Sequence, residues 1–289
     1  MRYLNASASS SLILLLRFSL TPLFFAGGFL AGCLKPQQPQ QVVDNCFPSD
    51  AVIDGTLSGD FFVGFTHKQD PATHKNPSSP TIHFKGDVSS GTNALKPEQD
   101  TTGGIEVYNK SVFLMEGGNI SGYLTAKDHS RVTMTGGEIT GQLGAEDASI
   151  VTVRGGTVAF NMVITQKATV TIEGGEVSSP AIYDSSVVNL VGGKTNGTLT
   201  VGDTATVHLR GGVPPEYLSV YGSATLNVYG TNLKKTLVDA HDQNGDHSRY
   251  KLSGKLSDGT DLGNVSLEIK NERKLGDEKT TVHLISLQK

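Results

Sequence analysis

The 289-residue sequence contains no tryptophan, only two cysteines and 7% aromatic residues. With 37% hydrophobic residues and no tryptophan, its interior has to be thin and aliphatic. Neither sign of charge dominates, the formal net charge being −4. That balance argues against a nucleic-acid surface, which needs a basic stripe. There is no Cys-x-x-Cys, no phosphate-binding glycine loop and no Ser-His-Asp arrangement. The uncharged apolar run Phe18–Phe29 falls short of the ~20 residues that a spanning helix needs.

What the sequence does have is a repeat. Seven related segments end in Gly-Gly or Gly-Thr, with leading residues Gly117, Gly136, Gly155, Gly174, Gly192, Gly211 and Gly230. Their spacings are 19, 19, 19, 18, 19 and 19 residues. A fixed period of this length marks a solenoid. Each segment alternates at period two. Phe113, Val132, Val151, Val170, Val188, Val207 and Leu226 make one apolar column, and Met115, Met134, Val153, Ile172, Leu190, Leu209 and Val228 the next. Mostly polar residues separate them, as expected for a strand with one buried face. The Gly-Gly pair follows as a sharp turn, where glycine reaches positive φ without steric cost.

A second strand carries inward columns from Leu124 and Ala126 through Leu218 and Val220. Asn109, Asp128, Asp147, Asp184 and Asp203 mark the turn after it. Small residues, from Ser111 to Ala224, return the chain to the first strand. One such coil cannot bury its own apolar face, but stacked coils can, pairing as parallel strands about 4.8 Å apart. About five inward side chains per coil, at roughly 1.5–3 kcal/mol each, drive the stacking. The expected fold is all-β: a parallel β-helix, right-handed by the general rule for parallel crossovers. Leucine-rich repeats are discounted, since no arc is long enough for a helix.

The ends differ from the middle. Residues 1–32 read as a signal peptide: Arg2 and Arg17, the apolar run, then Leu30-Ala31-Gly32-Cys33. Those four residues resemble the bacterial lipobox. The resemblance implies cleavage before Cys33, diacylation of Cys33 and attachment to the cell envelope. Leu34, where an aspartate would signal inner-membrane retention, implies the outer membrane. Lipidation of Cys33 leaves Cys46 as a packed, inert thiol, or as one half of an intermolecular disulfide. Residues 33–46 form a Pro/Gln tether. Residues 47–88, with the aromatic stretch Asp60–Phe65, are expected to be an amino-terminal cap and first strand, since open solenoid ends need covering. Residues 89–230 are the solenoid, with a loop inserted at about 89–100. Residues 231–289 read as a small antiparallel module with turns at Asn244-Gly245 and Asp258-Gly259. The repeats and the stretch Tyr250–Thr260 resemble secreted bacterial proteins with Gly-Gly solenoid repeats, a likeness that carries no activity.

The chemistry is sparse. Asp128 with Asp147, and Asp184 with Asp203, would stack at nearly the ~5 Å of a retaining glycosidase pair. Pectate lyases and polygalacturonases are also parallel β-helices, so a polysaccharide-acting enzyme is the alternative. An aspartate repeated in every coil, however, serves the coil, its carboxylate accepting a backbone N–H. A Ca²⁺ ion bridging that stack is the other possibility considered. The outward Thr133, Thr152 and Thr171 resemble an ice-binding ladder, but the series ends after three coils. His208 is expected to be solvated. His241, Asp242, Asp246 and His247 surround a hairpin tip and depart from the EF-hand pattern. The expectation is a lipid-anchored envelope protein without catalysis, metal or cofactor. Its partners would be the membrane and a glycan or protein surface, not nucleic acid.

Overall fold

The structure is a computed structural model. It describes residues 46–65, 70–73, 75–93, 96–101, 103–239, 247–270 and 280–287. Leu30, Ala31, Gly32 and Cys33, the tether up to residue 45, and His241, Asp242 and Asp246 lie outside the described residues.

The chain forms a parallel β-helix with three strands per coil rather than two. The first ladder holds the strand read from the Gly-Gly repeats, with ten members from Ala51–Ile53 to Thr281–Ser286. Its register is the one set by the sequence period, with Phe113 beside Val132 and Val132 beside Val151. The second ladder, also of ten strands, runs from Cys46–Phe47 to Val265–Lys270. Leu124 pairs there with Leu143, and Leu143 with Met162. Between them lies a third ladder of seven very short strands, including Asn119–Ile120, Glu138–Ile139, Thr157–Val158 and Glu176–Ser178. Each supplies one inward residue, Ile120, Ile139, Val158 and Val177 all being fully buried. With two inward residues from each longer strand, a coil buries five. Ten strands at about 4.8 Å make a stack roughly 45 Å long.

The amino-terminal segment is two more coils of the helix rather than a separate cap. Ala51 and Ile53 stack on Ile82 and Phe84, which stack in turn on Phe113 and Met115. Phe61 and Val63, in the stretch expected to cap the end, pair with Ile105 and Val107. Two insertions hide this continuation from the period. One, between Val63 and Thr81, holds a four-residue helical turn at Asp70–Thr73. The other, between Ser89 and Ile105, is an antiparallel hairpin of Gly91–Asn93 and Lys96–Thr101. Cys46 is fully buried in the first strand of the second ladder.

The carboxyl-terminal segment contains the antiparallel pairing expected of it, but not as an independent module. Thr225–Asp239 begins as a first-ladder strand beside Thr206–Leu209 and then runs on as a hairpin arm against His247–Leu256. That strand pairs antiparallel with Val265–Lys270, which is itself parallel to Tyr217–Tyr221. Thr281–Ser286 likewise lies parallel to the start of Thr225–Asp239. The hairpin is thus an excursion within the last coil.

Candidate functional site

The repeated glycines are structural, and the two members of each pair have different duties. The positive φ belongs to the second: Gly175 has φ 75°, whereas Gly174 is not left-handed. The first glycine is needed for close approach. A Cβ on Gly174 would sit 2.3 Å from the carbonyl oxygen of Arg154 in the preceding coil. Gly136, Gly155, Gly192 and Gly211 are similarly placed, at 2.3–2.8 Å from such an oxygen. Gly117 differs, because a Cβ there meets nothing within 4 Å.

The aspartate column is a ladder of its own. Asn109, Asp128, Asp147, Asp184 and Asp203 all have φ between 54° and 60°, and Gln166 joins them at 59°. Asp128 accepts the N–H of Asn109 at 2.9 Å, and Asp147 that of Asp128 at 2.9 Å. Gln166 accepts from Asp147, Asp184 from Gln166 at 2.8 Å, and Asp203 from Asp184 at 3.1 Å. Each side chain therefore caps the turn of the coil before it. A short polar residue suits both tasks, tolerating the left-handed region and accepting a bond locally. Sequence reading missed Gln166 because its longer side chain departs from the Asn and Asp that mark the other turns.

The carboxylates are thus spread along one edge, each engaged with a backbone donor, rather than converging on a cleft. Among the described residues no group of three or more His, Cys, Asp or Glu is placed to hold a metal ion. His208 is not the solvated residue expected. Its Nδ1 lies 3.0 Å from the Tyr229 hydroxyl, and the Arg210 guanidinium covers the Tyr229 ring at 3.8 Å. Burial, and then the Arg210 charge, lower the His208 pKa. The sequence concealed this contact because Tyr229 belongs to the next coil.

The feature that stands out chemically is the outward face of the second ladder. Tyr108, Tyr123, Tyr183, Tyr217 and Tyr221 all lie on or beside it, five of the eight tyrosines in the chain. The register explains this: every second residue of Tyr217–Tyr221 points outward, and Tyr123 and Tyr183 occupy flanking positions of their own coils. Two rings lie over glycines of the preceding coil, Tyr123 over Gly104 and Tyr221 over Gly202. The central outward column is small and uncharged from Thr125 through Gly144, Val163, Ala181 and Thr200 to Ser219. It forms a flat lane on the order of 24 Å long.

Both ends of the lane are charged. At the amino-terminal end Lys127 sits 3.1 Å from Glu106 and 3.7 Å from Glu146. Burial opposes its charge, but the two carboxylates outweigh that and raise its pKa. The Tyr108 hydroxyl donates to Glu106 at 2.6 Å, and burial together with that carboxylate pushes the phenol up. At the other end the hairpin rises beside the lane. A cavity of about 470 Å³ lies between them, lined by Thr198, Tyr217 and Ser219 from the face and by Val238, Arg249 and Tyr250 from the hairpin.

The fold and this face together define a parallel β-helix with a tyrosine-bearing lane. No known protein family matches the chain, and no curated protein or solved structure is measurably similar to it.

Proposed function

We propose that the protein is a lipid-anchored binding protein of the bacterial envelope, held by Cys33 at the outer membrane and contacting glycan through the second-ladder face. The observation that carries the binding half is the tyrosine lane. Tyrosine offers a rigid, amphipathic contact surface at low entropic cost, with a hydroxyl for polar groups of the ligand. The C–H face of a sugar packs against such rings, and its hydroxyls meet the Gln142, Asn161 and Thr198 positions flanking the lane. The lipobox residues Leu30, Ala31, Gly32 and Cys33 support the anchoring half. The dispersed, bonded aspartates weigh against the alternative of a polysaccharide-acting enzyme.

One experiment tests both halves. Wild-type and Cys33→Ala proteins, expressed in a Gram-negative host, are fractionated with detergent and offered a panel of immobilised glycans. Wild type should enter the detergent phase and retain at least one glycan at unchanged chain length. The variant should stay unprocessed or soluble. Detergent partitioning of a signal-cleaved variant removes the lipid assignment, chain cleavage points to the enzyme, and absence of retention removes glycan contact.

A further inference from the structure

The cavity at the carboxyl-terminal end of the lane has a charge that the lane lacks. Among the described residues lining it, Glu268 is the one acid, and Arg249 and Lys251 are cations. Glu268 is already satisfied: Lys270 lies 3.2 Å from its carboxylate and His247 3.2 Å, with Arg249 at 3.9 Å. Burial pushes the Glu268 carboxyl up, but Lys270 and His247 prevail and hold it below the usual carboxylate range. Arg249 is the outermost of the groups on that one carboxylate, and Lys251 makes no ion pair among the described residues, so positive charge exceeds negative at the opening. Asp239, across the antiparallel ladder from Arg249, makes no ion pair with it among the described residues. Tyr217 stands 56% exposed and shares its face of the sheet with Arg249 and Lys251, whereas Tyr250 alternates with them and packs against the core. The volume, about 470 Å³, falls within the roughly 300–1,000 Å³ of small-ligand sites.

Resting on the glycan-contact reading above, we infer that this cavity takes an acidic sugar unit of a polysaccharide chain. The carboxylate is held by Arg249 and Lys251, and the ring packs against Tyr217. Arginine presents a planar fork of donors that matches a carboxylate, and lysine adds a point charge. The neutral lane then carries the rest of the chain, so the cavity sets the charge preference and the lane supplies length.

The test uses the full-length protein and matched probes: alginate oligosaccharides, the same oligosaccharides methyl-esterified, and neutral chitooligosaccharides. Calorimetric titration should show the acid form binding at least tenfold more tightly than its ester, with the difference shrinking as salt rises. Arg249→Gln and Lys251→Gln should each erase most of that preference and leave the weaker ester binding in place. Both side chains are on the surface, and unchanged thermal melts will show that the fold survives. Equal binding of acid and ester overturns the acidic preference, while glycan contact stands. An acid preference untouched by both substitutions places the site elsewhere and overturns this one. Failure of the acid form to bind overturns the inference as well. In that case the wider glycan panel separately decides whether the lane binds sugar at all.

Discussion

At the scale of single residues, one repeated letter can answer different physical demands. Gly174 and Gly117 both open a Gly-Gly pair, yet only Gly174 is pressed against the carbonyl of the coil before it. An alanine at 174 has to push Arg154 away or open the stack, a strain of about 1–3 kcal/mol. At a few degrees per kcal/mol for a chain of this size, Gly174→Ala should lower the melting temperature by roughly 3–10 °C. Gly117→Ala meets open space, and by narrowing the unfolded ensemble it should leave the melt unchanged or about 1–3 °C higher. Parallel thermal melts decide it, and equal losses would show that close approach is not the reason for the first glycine. The small return column shows the same tolerance. Ser149 is fully buried, and its hydroxyl has no hydrogen-bond partner among the described residues. Ala168 fills the equivalent place one coil on.

At the scale of elements, the junction between the hairpin and the body depends on one turn. Asp258, in the Asp258-Gly259 turn, accepts the N–H of Gly212 at 2.7 Å and that of Thr260 at 2.9 Å. It thereby ties the last excursion to the Gly211-Gly212 corner of an earlier coil. Burial works to raise the Asp258 carboxyl, but the donors from Gly212 and Thr260 outweigh it and lower the pKa. The sign follows from that depression. The stabilisation is complete above the ordinary aspartate value of ~3.9 and is lost as pH falls through the lower folded value. The group is largely exposed, so solvent screening limits it to about 1 kcal/mol or less. Asp258→Ala should therefore melt about 1–4 °C below wild type at pH 7, and the gap should shrink progressively as pH is taken below the ordinary aspartate range. A gap that persists in acid would mean the carboxylate is not the source of the effect.

At the scale of the whole molecule, stability is close to a sum over coils and their interfaces. Removing Gly155–Glu173 takes out one coil and joins Arg154 to Gly174. Val151 then stacks on Val188, Val158 is lost together with its own coil, and Asp184 can cap the turn at Asp147. One interface disappears and another re-forms. The shortened protein should keep its β-type circular dichroism and a cooperative melt. Removing Gly155–Ile164 instead deletes the third-ladder and second-ladder strands of one coil and keeps the first. That variant should lose the cooperative transition. Comparable unfolding of both deletion variants would contradict the coil as the unit of stability.

Most of the architecture was legible in the sequence because parallel stacking repeats the same contacts at every step. A fixed period of 18 or 19 residues forces like residues into register, so the first- and second-ladder columns could be read directly. The third ladder escaped because strands such as Glu138–Ile139 are too short to show alternation, offering one apolar residue between polar neighbours. The amino-terminal coils escaped because insertions after Val63 and Ser89 erase the period while leaving the stacking intact. The carboxyl-terminal strands were read as antiparallel from their turns, since turn chemistry is local and pairing with an earlier coil is not. The same division holds for the candidate site. Glycine and aspartate turns recur along the chain and announce themselves. Tyr108, Tyr183 and Tyr221 fall at one repeat position and Tyr123 and Tyr217 at another, but other residues stand there in most coils, so neither position shows as a tyrosine column. The winding of the helix brings both positions onto one face, and only the folding back of the hairpin sets Arg249 and Lys251 on the same face as Tyr217.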